Sequence, residues 1–146
     1  MIRGYPVVAD IFAQERGEDD MMKTRVLIVD DHRAYRDGLK AVINRQADME
    51  VVGVAEDGEK AVAMTRELRP DVILMDVKMP VMDGAEATSR IMAEMPGMKI
   101  LALSIYADDG FMASMMQAGA LGYILKGCDS DELSGAIRKV AGPRNP

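Results

Sequence analysis

Four short apolar runs in this chain each lead directly into a residue able to do chemistry. Val26–Val29 runs into Asp30 and Asp31, Val72–Met75 into Asp76, Ile100–Leu103 into Ser104, and Tyr123–Leu125 into Lys126. Three carboxylates gathered at one place repel one another, and ionising all of them is costly unless a cation joins them. Oxygen donors without a His/Cys cluster suit a hard ion such as Mg2+, which takes one or two carboxylates and keeps several waters. Such an ion would also neutralise charge on an incoming phosphoryl group. An Asp carboxylate beside it can act as nucleophile and form an aspartyl phosphate. Lys126 could pair with the new phosphate oxygens, and the Ser104 hydroxyl could donate a hydrogen bond to one of them.

These residues can act together only if the chain folds so that the runs end side by side. Continuous apolar runs are expected of strands covered on both faces. Met49–Ala55 is rich in valine but carries Glu50 and Gly53, which suits an edge strand. Helical periods fall between the runs: Tyr35, Leu39, Val42 and Ile43 share one face, as do Ala61, Met64, Thr65 and Leu68. Further helices are expected over residues 85–94, 109–118 and 130–140, the last with Leu133, Ala136, Ile137 and Val140 on one stripe. Asp129 to Glu132 resembles a capping box with Asp129 as N-cap, and Ala118-Gly119 suits a C-cap. Five βα units predict an α/β fold, a doubly wound five-stranded parallel sheet flanked by five helices. Such sheets bind ligands at the carboxyl ends of their strands, so Asp30, Asp31, Asp76, Ser104 and Lys126 are expected to converge.

Composition narrows the setting. The 146 residues suit one globular domain, and 18 basic against 24 acidic residues leave a formal charge of −6. That balance argues against a nucleic-acid groove, which needs a concentrated basic surface. The single cysteine, Cys128, excludes an internal disulfide and suits a reducing compartment. No apolar run approaches the ~20 residues of a membrane span, and the N-terminus lacks the pattern of a signal peptide. The expected location is cytoplasmic. Residues 1–22, with Pro6 and the charged run Glu15–Asp20, read as a flexible extension, against the alternative of a short helix around Ile11–Phe12 packed on the domain.

Val-Asp30-Asp31-His32, Met75-Asp76-Val-Lys78-Met-Pro80-Val-Met-Asp83-Gly84, Leu-Ser104 and Gly-Tyr123-Ile-Leu-Lys126 resemble the receiver domain of response regulators, over about residues 23–142. The resemblance implies a CheY-like sheet of strand order 2-1-3-4-5. It implies that Asp76 is the phosphoacceptor, and that Asp30, Asp31, Asp76 and the main-chain carbonyl of Lys78 bind Mg2+. Ser104 would be the switch hydroxyl, Tyr123 the aromatic rotamer switch and Lys126 the phosphate-pairing lysine. Lys78 and Tyr106 would border the approach of the hydrolytic water and tune phosphate lifetime. The implied partner is a sensor histidine kinase, and the implied output is homodimerisation or exposure of an attached effector.

The Asp-Asp-His start and the Lys126-Gly127 pair are similar to the NarL/LuxR subfamily of transcriptional regulators, whose members usually continue into a helix-turn-helix domain. The sequence stops at Pro146, so residues 143–146 read as a tail and the DNA-binding half as missing. This chain would then touch no DNA itself. A truncated regulator is the expected reading, with a natural single-domain phosphorelay protein as the alternative.

Other readings compete. Asp30-Asp31 could merely cap the first helix, and Ser104 and Tyr123 could be a strand-end hydroxyl and plain core. His32 reads as a surface residue at a helix start and is given no chemistry. The methionines Met112, Met115 and Met116 are packing residues first and an adaptable surface second, and Cys128 is read as inert. A Mg2+-dependent phosphohydrolase would also use Asp76 as nucleophile. Dehalogenase-like phosphatases, however, need a second Asp where Lys78 stands. A nucleotide-binding module would want a Gly-rich cradle after the first strand, and Asp-Asp-His-Arg supplies none. The favoured expectation is thus a non-enzymatic switch whose only chemistry is phosphorylation and autodephosphorylation of Asp76.

Overall fold

Successive side chains of a strand point to opposite faces of its sheet, and here both faces are apolar. In the computed structural model, which describes residues 23–105 and 109–143, the strands are β1 (Thr24–Val29), β2 (Met49–Ala55), β3 (Val72–Asp76), β4 (Lys99–Ser104) and β5 (Gly122–Leu125). The helices are α1 (Arg33–Asn44), α2 (Gly58–Leu68), α3 (Gly84–Glu94), α4 (Asp109–Ala118) and α5 (Ser130–Ala141). All neighbouring strands pair in parallel, in the order β2-β1-β3-β4-β5. The doubly wound α/β architecture and the strand order are as expected.

Val26 and Ile28 of β1 join Val72, Leu74, Leu101 and Leu103 on one face, covered by Leu39 and Ile43 of α1 and Leu133 and Ile137 of α5. Leu27 and Val29 join Ile73, Met75, Ile100 and Ala102 on the other, covered from α2, α3 and α4 by Ala61, Ala87, Ile91 and Met115. β3 is central and every residue in it is buried. β2 lies at an edge, as Glu50 and Gly53 suggested, and its register slips between Val26 and Leu27 of β1, so that one residue of β2 is bulged.

Local chemistry sets the ends. The carboxylates of Asp57, Asp83 and Asp129 each accept a bond from the main-chain N–H three residues on, at 2.8–2.9 Å, and cap α2, α3 and α5. α4 ends at Ala118, with the N–H groups of Gly119 and Ala120 returning to Met116 and Met115. Arg138 of α5 reaches the α1–β2 turn, donating to both carboxylate oxygens of Asp48 at 2.8 and 3.0 Å. No helix among the described residues is long and apolar enough to cross a membrane. The extension 1–22, Tyr106 and residues 144–146 lie outside the described residues.

Candidate functional site

The parallel sheet brings Asp30, Asp31, Asp76, Ser104 and Lys126 to one rim. Asp30 follows β1, is fully buried, and donates its N–H to Ala55 of β2 at 3.0 Å. Its Oδ1 accepts the main-chain N–H of His32 at 2.8 Å, while the Arg36 guanidinium donates to its carbonyl at 2.8 Å. The N-cap position of α1 belongs to His32, so the two aspartates do not cap the helix from that position.

Asp76 closes β3 and is 5% exposed. The residue after it is tied down twice: Val77 N–H donates to Leu103 at 3.1 Å, and its carbonyl accepts from Gly84 at 2.9 Å. Only glycine fits at 84, because a Cβ there would stand 2.1 Å from the Asp76 carbonyl oxygen. Between these anchors the loop turns at Val81, a 75% exposed valine held at φ 69.

Lys126 follows β5, its N–H bonded to the Ser104 carbonyl at 2.8 Å. Its partly buried ammonium lies 2.5 Å from Asp30 Oδ2 and 3.3 Å from Asp76 Oδ2. Burial, and then the charge of Asp30, push the Asp76 carboxyl up to about 6, with Lys126 pulling the other way. Asp76, Ser104, Lys126 and Lys78 line an open cleft of about 730 Å3, together with His32 and Tyr35.

Asp30 Oδ2 is the telling atom for a cation. It is buried and makes no hydrogen bond of proper geometry, so its contact with Lys126 is a bare charge pair. Buried carboxylate oxygens seldom stay so under-satisfied without a further partner. Ligand atoms of Asp30, Asp31, His32 and Asp76 all lie within 4.8 Å of one another. This acidic cluster could hold a metal ion, and its three carboxylates fit a hard divalent one.

Two neighbours of the site were not legible as such. His32 places Nδ1 3.1 Å from Asp31 and 3.3 Å from Asp30 while its side chain stays 70% exposed. Tyr35, read only as part of an apolar helix face, sets its ring 4.7 Å below the Lys126 ammonium. The available signal was its place four residues after Asp31, one turn into the helix that the aspartates enter. The ammonium of Lys78 lies over the Phe111 ring of α4 at 4.6 Å. Tyr123 is half-buried against the core on the α2–α3–α4 side. Met115 is fully buried and Met116 is 44% exposed, so packing and surface roles fall to different methionines of α4. Burial and the carboxylates of Glu132 and Asp129 push the Cys128 thiol up, away from a reactive thiolate.

A five-stranded 2-1-3-4-5 sheet with this acidic rim and its paired lysine defines a receiver domain. The response regulator receiver domain model matches residues 26–138, and the chain belongs to that family. It is similar to the transcriptional regulatory protein LiaR of Bacillus subtilis, 46% identical over 117 residues, covering 80% of this chain and 56% of LiaR. The response regulator GacA of Pseudomonas aeruginosa is 43% identical over 121 residues, covering 82% of this chain and 56% of GacA. The transcriptional regulatory protein DegU of Brevibacillus brevis is 41% identical over 119 residues, covering 82% and 50%. The chain thus spans about half the length of the curated relatives it matches.

Among solved structures, a LuxR-family two-component response regulator from Aurantimonas matches with a TM-score of 0.78 at 34% identity, covering 82% of this chain and 85% of that one. The signal receiver domain of the response regulator NarL from Mycobacterium tuberculosis matches with a TM-score of 0.78 at 31% identity, covering 82% and 96%. The NarL/LuxR-type resemblance is borne out in these relatives.

Proposed function

We propose that residues 23–142 form a phosphorylation-driven switch in which Asp76 accepts a phosphoryl group from a sensor histidine kinase. One observation carries this reading: a buried strand-end carboxylate stands 3.3 Å from the partly buried Lys126 ammonium and opens onto the cleft. A carboxylate oxygen of Asp76 attacks phosphorus, the P–N bond of a phosphohistidine breaks, and the electron pair leaves on the imidazole nitrogen, which takes up a proton. Asp30, Asp31, Asp76 and the main-chain carbonyl of Lys78 would hold Mg2+, which when bound supplies charge neutralisation at the phosphoryl oxygens. Lys126 pairs with the phosphoryl oxygens, and Ser104 donates its hydroxyl.

The product adds roughly two negative charges and three acceptor oxygens at a buried site. Ser104 and Lys126 follow those oxygens, Tyr123 turns inward, and the α4–β5–α5 face changes, as a population shift between two states. The output is homodimerisation and control of a LuxR-type DNA-binding domain. The chain itself contacts neither DNA nor membrane, works in the cytoplasm and turns over no separate substrate. Incubation with acetyl phosphate and Mg2+ followed by intact-mass spectrometry tests this reading. One phosphoryl adduct is expected on the wild type and none on Asp76→Asn; equal modification of both sinks the assignment.

A further inference from the structure

Tyr35 of α1 faces the β5–α5 loop. Its ring face lies 4.7 Å from the Lys126 ammonium. Tyr35 also lines a small cavity together with Gly127 and Cys128 of the same loop. One side chain from α1 thus meets the cation of Lys126 beside the turn that follows it. We propose that Tyr35 is a positioning residue for phosphoryl transfer, holding the Lys126 ammonium against the carboxylate cluster where the phosphoryl oxygens must arrive. The inference rests on the phosphoacceptor reading of Asp76.

Three features support it. Lys126 is long and rotamer-rich, and a flexible ammonium placed between Asp30 and Asp76 needs a third contact to define its position. An aromatic face supplies one without adding charge, and the attraction strengthens where water is excluded; the Lys126 side chain is only 9% exposed. The phenol also stays neutral. Burial first, then nearby acidic groups, push the Tyr35 hydroxyl up to about 12, so the ring never brings a competing anion to the lysine. Gly127 sits at φ 94, a left-handed turn directly after the lysine, and lines a small cavity with Tyr35.

The measurement is beryllofluoride binding in the presence of Mg2+ to the full chain, with the Gly127 amide followed by NMR. Tyr35→Phe keeps the ring face and should bind within about twofold of wild type. Tyr35→Leu keeps apolar bulk but loses the face, and should bind roughly three- to tenfold more weakly. In a Lys126→Met background the leucine effect should shrink below about twofold, since the cation it acts through is gone. Tyr35→Leu binding as tightly as wild type overturns the proposal. So does Tyr35→Phe being as weak as Tyr35→Leu, or a leucine effect undiminished without Lys126, which would make Tyr35 mere packing. If wild type and Asp76→Asn bind beryllofluoride alike, the phosphoacceptor reading itself falls, and this inference with it.

Discussion

The Lys126 ammonium lies 2.5 Å from Asp30 Oδ2, nearer than its 3.3 Å approach to Asp76. The lysine therefore neutralises chiefly the deeper carboxylate, and Asp76 is left as the one whose ionisation the fold resists.

Removing the lysine should expose that arrangement. Lys126→Met leaves two buried carboxylates facing each other without a cation, and breaking such a pair costs about 3 kcal/mol or more. Urea unfolding at pH 7 should show this loss, and the deficit should narrow at pH 5, where Asp76 takes up a proton. A loss that is the same at both pH values would contradict the charge argument.

Asp76 gives a pH dependence of definite sign. Its carboxyl is raised from 3.8 to about 6 in the folded protein, so the fold binds this proton more tightly than the unfolded chain does. The associated stability is fully present below about pH 4 and is lost as pH rises through 6. Without divalent cations, Asp76→Asn should exceed wild type in stability at pH 8, by on the order of 2 kcal/mol. Most of that gain should vanish by pH 4, and a constant gain would count against it.

The loop after β3 carries avoidable strain. Val81 is a β-branched, 75% exposed residue at φ 69, where L side chains crowd their own backbone. Val81→Gly should raise stability by about 1 kcal/mol, visible as a shift in the urea midpoint at unchanged slope. A destabilised variant would mean that the valine side chain makes a contact worth more than its strain.

Gly84→Ala tests the opposite kind of position. Its new methyl would meet the Asp76 main-chain carbonyl at 2.1 Å, and the strand end cannot yield without moving the carboxylate. A loss of at least about 2 kcal/mol is expected, together with weaker beryllofluoride binding. Unchanged binding in a destabilised variant would separate the loop from the site.

Much of this was legible in the sequence because a parallel sheet imposes its own geometry. Val72–Met75 read as a covered strand because both faces needed apolar residues, and β3 is indeed buried throughout. Once the strands run in parallel, Asp30, Asp76, Ser104 and Lys126 must share a rim, whatever separates them along the chain. Side-chain direction and loop conformation were not legible. Helical period placed Tyr35 on the apolar face but could not show that its ring also meets the lysine that follows β5. The contact of His32 with Asp31 depends on a rotamer, and the left-handed Val81 defies local preference. The bulge in β2 left only Gly53 as a trace.

α1 and α5, the first and last helices among the described residues, cover the same face of the sheet. During synthesis from the N-terminus, Val26, Ile28, Val72, Leu74, Leu101 and Leu103 therefore wait half-covered until α5 emerges. The opposite face, closed by α2, α3 and α4, can be completed earlier. The nascent chain should pass through a state with one sealed side and one sticky side, the kind of exposed apolar surface that chaperones engage. Arg138, gripping Asp48 across 90 residues, is among the last clasps to close.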